Sequence, residues 1–329
     1  MTSAAAAPPI TTQTSSVYTL RRILGIVGVA ILVLVAVIEI APFVLTIANS
    51  FKCDPAVTNR PAAFIPVPPF GVQCETRNEA GQVVARLGAD EQVSGATFNP
   101  SFSGYQAILT STGPNNNLPR WLLNTVIYAI TVMILRLLFD SMAGYALARL
   151  SFPGNRIIFF IVLGTLMIPG VVLLIPRFLL LNQMGLLNTY QGYIIVLAAD
   201  AFGILLMKQF FESIPREIEE AAAVDGANRF MMFFRIVLPM ATPALTALAI
   251  FSFQGQWNNF MDALIIVGTK PDMFNLPMGL TVLRGSGQDV QYDLVLAGSV
   301  ITTLPMAIIF FVFQRYFVEG VTYSGLAGQ

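Results

Sequence analysis

Hydrophobic positions in this chain fall in long blocks rather than in alternation. Crossing ~30 Å of hydrocarbon takes about 20 helical residues. Six blocks reach that length: residues 23–48, 121–147, 157–181, 190–211, 241–267 and 294–317. Ile157 to Pro176 and Leu294 to Gln314 carry no charge, whereas each remaining block holds one or two ionisable residues. The pattern predicts an all-α integral membrane protein with six transmembrane helices. Between the blocks lie polar segments: a tail over 1–22, a long loop over 49–120, a mixed segment over 212–240, a loop over 268–293 and a tail over 318–329. The first block follows Arg21 and Arg22, as a signal peptide would. Its length, Glu39, Pro42 and the lack of a small-x-small cleavage site predict a retained helix instead.

Basic residues set the expected orientation, because short cytoplasmic loops collect lysine and arginine. With the amino terminus inside, that side holds Arg21, Arg22, Arg149, Arg156, Lys208, Arg216, Arg229, Arg235 and Arg315; the opposite short loops hold Lys270 and Arg284. Both termini are then expected in the cytoplasm, in a bacterial inner membrane.

Composition agrees with a bilayer solvent: 55% hydrophobic residues, 11% charged, and a mean hydropathy of +0.71. A net charge of zero without a basic block argues against a nucleic-acid partner. There is no histidine, which excludes histidine catalysis and the usual zinc sites, and no GxxxxGK[ST] loop for nucleotide phosphates. The membrane carboxylates Glu39, Asp140 and Asp200 are scattered in depth, so no catalytic constellation and no metal site is expected. Cys53 and Cys74 both fall in the long outer loop, whose Pro- and Gly-rich stretches predict a small irregular cap. On the oxidising side a disulfide between them would stabilise that cap by ~3 kcal/mol; two free thiols are the alternative.

The polar residues inside the blocks need partners or water, since a charge in hydrocarbon costs at least ~2.5 kcal/mol. Arg136 and Asp140 stand four apart on one helix and are expected to pair along it. Glu39 and Arg177 both lie toward the outer side and could pair across helices. Asp200 sits near mid-depth with no partner visible in sequence. Gln254, Gln256, Trp257, Asn258, Asn259 and Asp262 cluster on the fifth block. Amides and an indole suit neutral hydroxylated ligands, and equally suit the bonding of one helix to another.

The segment 212–240 is the least membrane-like stretch between two apolar blocks. In SIPREIEEAAAVDGANRF, Ser213 is placed to cap, Pro215 suits a first turn, and Glu217, Glu219 and Glu220 suit the positive helix end. Ala221, Ala222 and Ala223 leave a face that another surface can approach closely. Gly226 stops the helix. A second helix over residues 228–238 brings Phe230, Phe233, Phe234 and Ile236 to anchor it, and Pro239 and Pro243 mark entry to the fifth span. Such a rod fits a groove in another protein, or is an ordinary amphipathic loop helix.

Glu220, Ala221 and Ala222, then Gly226 after three residues, then Ile236, Leu238 and Pro239, match in spacing the EAA signature of permease subunits of ATP-binding-cassette importers. Flanking stretches resemble the carbohydrate, maltose-permease subgroup: FGILLMKQFFESIPREIEEAA, WNNFMDALIIVG, NLPMGL, QRYFVEGVTYSG, and LLNTVIYAI with GYALARLSFPGN. The resemblance covers residues 121–329, roughly two thirds of the chain. It implies the six-helix, type I importer fold, with a cytoplasmic coupling helix around Glu220, Ala221, Ala222, Asp225 and Gly226 and an extracytoplasmic cap loop. It also implies a second related permease subunit, two ATPase subunits that hold the ATP and magnesium, a soluble binding protein outside, and a sugar as cargo. Asp200, Gln254, Gln256, Trp257, Asn258 and Asn259 become candidates for the translocation path. Arg284, Gly285, Ser286, Gly287 and Gln288 become a candidate loop against the binding protein. Another cargo, such as a glycerol phosphate ester or a peptide, stays open; an integral membrane enzyme is the remote alternative.

Overall fold

The computed structural model describes residues 14–52, 75–77, 83–86, 102–110, 117–283 and 292–326. Cys53 and Cys74, and the loop Arg284 to Gln288, lie outside the described residues. Helix α1 (Thr14–Ser50) is followed by a short antiparallel pair, β1 (Glu75–Arg77) and β2 (Val83–Arg86), with Glu75 opposite Arg86. Helix α2 (Ser103–Thr110) then lies against the last long helix, where Gly104 meets the Asp293 backbone. A hydrogen bond of 2.7 Å between Ser50 and Tyr105 ties α2 to the end of α1.

Helix α3 (Leu118–Arg149) is the axis of the bundle. It starts at Asn117, whose side chain accepts from the Arg120 N–H at 3.2 Å, with Pro119 in the first turn. Next come α4 (Asn155–Leu166), a tight turn at Gly170–Leu173, α5 (Leu174–Gln183), α6 (Tyr190–Leu197), α7 (Ala201–Ser213) and α8 (Arg216–Val224). Then α9 (Arg229–Met232), a π-turn (Phe233–Val237), α10 (Leu238–Met240), α11 (Thr242–Trp257), α12 (Met261–Ile266), α13 (Leu276–Leu283) and α14 (Tyr292–Leu326) complete the order.

Among the described residues, three single helices are long and apolar enough to cross a bilayer: Arg21–Ser50, Leu118–Arg149 and Tyr292–Gln314. Three bent pairs raise the number to six if each pair is one span. The third block, read from the sequence as one span, is bent. It bends by 101° between Leu166 and Gly170, where Pro169 removes a ladder hydrogen bond. The fourth bends by 42° around Asp200. The third pair bends by 80° between Met240 and Thr242, where α10 meets α11, and the fifth block is interrupted again: α11 stops at Trp257, and α12 resumes at Met261.

In lipid, helices associate through close packing and hydrogen bonds more than through expulsion of water. Helix α3 packs most extensively on α7 and α11. Gly144 admits the backbone of Ile204 and Lys208, and Gly203 lies directly on the Asp140 carboxylate. Apolar side chains form two clusters at opposite ends of α3. One gathers Trp121, Tyr128, Tyr193, Trp257 and Leu276, and the other Tyr145, Met207, Phe211, Met232, Phe233 and Val237.

Residues 268–283 of the segment read as a loop belong largely to the first cluster, because their backbone is held from α3. Trp121 Nε1 donates to the Pro271 carbonyl at 3.1 Å, Asn124 Nδ2 to Asp272 and Phe274 at 2.7 and 2.9 Å, and the Tyr128 hydroxyl to Met273 at 3.0 Å. The Trp121 ring seats on Gly279, where any side chain would overlap it.

Candidate functional site

Helix α8 is short and two-faced. Glu219 and Ala222 are buried and Ile218 half-buried, while Glu217, Glu220, Ala221, Ala223 and Val224 are exposed, Val224 at 88%. Ser213 does not cap it, contrary to expectation. Proline disfavours a helical conformation in the residue before it, so Ile214 and Pro215 run extended and separate Ser213 from the first helical residue. The Ser213 hydroxyl turns back to the Phe210 carbonyl at 2.7 Å. At the other end Gly226 has φ +86°, its N–H reaches Ala223, and the Ala227 N–H reaches Ala222. These two bonds are the Schellman closure, which needs the left-handed residue that glycine supplies without steric cost.

The stem departs from the sequence reading in one respect. Asn228 caps α9, accepting from the Met231 N–H at 2.8 Å, and Met232, Phe233 and Val237 are buried. Phe230 and Phe234, expected as anchors, are exposed at 71% and 45%. They are four apart and share the outward face, so Phe233 and its apolar neighbours carry the anchoring. Over Phe233–Val237 the ladder widens, the Leu238 N–H reaching Phe233. That widening falls where the ring of Pro239 would otherwise press on the Arg235 carbonyl. Ile236 and Leu238 are half-buried and Pro239 is exposed.

Sequence reasoning missed what holds α8 down. Arg149, the last residue of α3, brings Nε to 2.9 Å from Glu219 Oε1, with side chains 4% and 10% exposed. The approach is an ion pair outside hydrogen-bond angles. Arg149 Nη2 donates to the Phe211 and Ile214 carbonyls, and the Tyr145 hydroxyl donates to Glu219 Oε2 at 3.3 Å. In the sequence Arg149 counted only as an inside charge and Glu219 only as a dipole partner. No local spacing links residues 70 apart.

A second arginine node sits farther along α3, and it corrects the expected Arg136–Asp140 pair. Arg136 Nη1 is 3.5 Å from Asp200 Oδ2, and its Nε donates to the Leu197 carbonyl at 2.9 Å. Fully buried Asp140 accepts from the Asp200 N–H at 3.0 Å through Oδ1 and has no hydrogen-bond partner at Oδ2. The break between α6 and α7 offers both a free carbonyl and a carboxylate, and these draw the guanidinium away from its own-helix neighbour. Asp200, which looked partnerless, is therefore an ion-pair residue.

Arg177 pairs with Asp262 at 2.8 Å rather than with Glu39, which is exposed on α1. The polar cluster of the fifth block divides in two. Gln256 and Trp257 are buried: Gln256 Oε1 meets the Tyr193 hydroxyl at 3.4 Å, and Trp257 Nε1 donates to Thr302 at 3.1 Å. Half-buried Asn259 donates to Asp262 at 2.9 Å. Gln256 and Trp257 thus join helices, whereas the Asn259–Asp262 bond is local, three residues along the chain at the start of α12. Gln254 and Asn258 are exposed.

Residues 140–323 match the model of the family described as "Binding-protein-dependent transport system inner membrane component". The arabinooligosaccharides transport system permease protein AraQ of Halalkalibacterium halodurans is 41% identical over 209 residues, covering 63% of this chain and 74% of AraQ. The trehalose/maltose transport system permease protein MalG of Thermococcus litoralis is 29% identical over 312 residues, covering 94% and 98%. In fold, the chain resembles a chain of a bacterial ABC transporter involved in import of the acidic polysaccharide alginate. The TM-score is 0.72 at 24% identity, over 94% of this chain and 100% of the other. The matched segment runs from the buried Asp140 through α8 and its stem into α14, and the chain belongs to the binding-protein-dependent transport system inner membrane components.

Proposed function

We propose that the chain is the permease subunit of an ATP-driven sugar importer and forms half of its translocation path with a second, related permease subunit. Helix α8 is the coupling helix: two separate ATPase subunits, holding ATP and magnesium, dock one on each permease. A soluble binding protein delivers the sugar from outside, and both termini of this chain are cytoplasmic. The observation that carries the reading is the construction of α8, with one face pinned by Arg149 and Phe233 and the other presenting Glu220, Ala221, Ala223 and Val224 to a partner. Sugar as cargo follows from the named relatives and from the charge balance. Arg136, which an anionic cargo would need free, is taken by Asp200 and a carbonyl. Asp200, Gln254 and Asn258 are the path candidates left with exposed surface.

The test is Gly226→Val. A β-branched residue at φ +86° opposes the turn that ends α8, at a cost of roughly 1–2 kcal/mol. Uptake in vesicles should fall about tenfold or more while the subunit still inserts. Normal uptake with normal ATP coupling would remove α8 from the mechanism.

A further inference from the structure

Resting on that reading, we infer that Arg149 is a positioning residue that locks the joint between α7 and α8, so that α3, α7 and α8 move as one lever. Only Ile214 and Pro215 separate the end of α7 from the start of α8, and both are extended. A two-residue extended link is a natural hinge, and a push on α8 would be lost in it if nothing bridged it. Arg149 bridges it. One nitrogen holds the Phe211 and Ile214 carbonyls on the α7 side, and another meets Glu219 on the α8 side. Tyr145, one turn back on α3, fixes the second carboxylate oxygen at 3.3 Å. Tyr145 also packs edge-on against Phe211, at 5.8 Å between ring centres, and tilted against Phe233 at 5.1 Å, so α7 and the stem that follows α8 close on the same ring.

The guanidinium fork is what the geometry uses. A lysine ammonium is a single charge on a flexible stem and cannot hold two carbonyls and a carboxylate in fixed directions. The same device stands higher on α3, where Arg136 holds the Leu197 carbonyl at the end of α6 and Asp200 before α7. Two arginines of one helix thus splint two successive breaks, the bend in the fourth span and the joint to α8.

The experiment uses the complete transporter in proteoliposomes, with spin labels on exposed Gln209 of α7 and Glu217 of α8. In the wild type the α7–α8 distance should stay constant through the ATP cycle. In Arg149→Lys the distance distribution should broaden, ATP hydrolysis should persist, and sugar moved per ATP should fall about tenfold. Glu219→Gln should give the same result, and it carries the test if Arg149→Lys fails to assemble. A wild-type distance that changes with nucleotide overturns the lock whatever the variants do. So does Arg149→Lys with a narrow distribution and native transport per ATP. A cross-linker at Val224 separates this failure from that of the parent reading: capture of the ATPase keeps α8 as the docking helix even if the lock is lost, and no capture removes the docking itself.

Discussion

The two arginine nodes on α3 use the same parts in different surroundings. Each guanidinium satisfies carbonyls at the C-terminal end of a helix, where a cation also suits the dipole, and each grips a carboxylate from the element that follows. At Arg149 the carboxylate is fully served: the guanidinium and a tyrosine hold its two oxygens, Arg229 lies close to that tyrosine, and the Arg149 and Glu219 side chains are 4% and 10% exposed. At Arg136 one cation faces two carboxylates. Asp200 keeps 37% of its side chain exposed, and Asp140 is fully buried with Oδ2 against Gly203 and without a hydrogen-bond partner. The difference suggests a division of labour. The Arg149 node is built to stay shut, whereas the Arg136 node leaves one acid partly open at a helix break. Two helix breaks in this chain, those before α7 and before α8, are therefore stabilised from the side by α3. Asp200, at the N-cap position of α7, makes no side-chain cap of its own; Asp140 supplies the acceptor instead.

The largest effect should come from removing a cation. Arg136→Met leaves two neighbouring carboxylates without their counter-charge, one of them fully buried, and stranding a buried charge in this way costs about 3–5 kcal/mol. The subunit should unfold earlier in a denaturant titration in detergent and accumulate less. The carboxylates should then rank unequally. Asp200→Asn should cost more than Asp140→Asn, because Asp200 holds the ion pair while Asp140 serves mainly as an acceptor for one N–H, which an amide oxygen can also do. The reverse order would restore the own-helix pair that the sequence suggested.

Steric overfilling of the same node should come next. A β-carbon at Gly203 would overlap the Asp140 carboxylate and come within 2.9 Å of Leu248. Gly203→Leu should therefore force α3 and α7 apart at a cost of about 3 kcal/mol. Gly255→Leu is the control, since no atom lies within 4 Å of a β-carbon there. If the two variants titrate alike, the close approach of α3 and α7 does not matter to stability.

Much of this was legible in the sequence where information is local. The six apolar blocks follow from length and composition, and the glycine stop of α8 follows from the left-handed turn that ends a helix. What stayed hidden were contacts across long separations. Arg149 and Glu219 are invisible as a pair because their approach depends on how α3 and α7 cross. Arg136 was assigned to Asp140 because spacing on one helix was the available guide, and the break that exposes the Leu197 carbonyl lies on another helix. The polar cluster of the fifth block divides for a similar reason. Residue type shows that Gln256 and Trp257 want partners, but only packing shows that those partners are Tyr193 and Thr302. The 101° bend falls at Pro169, inside a block whose length and apolar run predicted a single span.

The smallest effect tests whether the stem beyond α8 depends on a local cap, where α7 depends on a remote one. Asn228 Oδ1 accepts from the Met231 N–H at 2.8 Å, and it opens a helix of four residues before the π-turn. Asn228→Ala should cost about 1 kcal/mol, the usual loss for an N-cap. Asn228→Asp should keep the acceptor, add a charge that suits the helix start, and stay near native stability. Since Phe233 and Val237 still bury their side chains in both variants, the loss should appear first as faster amide exchange over Arg229 to Met232, with global unfolding shifted only slightly. Equal exchange in the two variants would mean that buried Phe233 alone orders the stem, and that the cap contributes nothing the apolar anchor does not already provide.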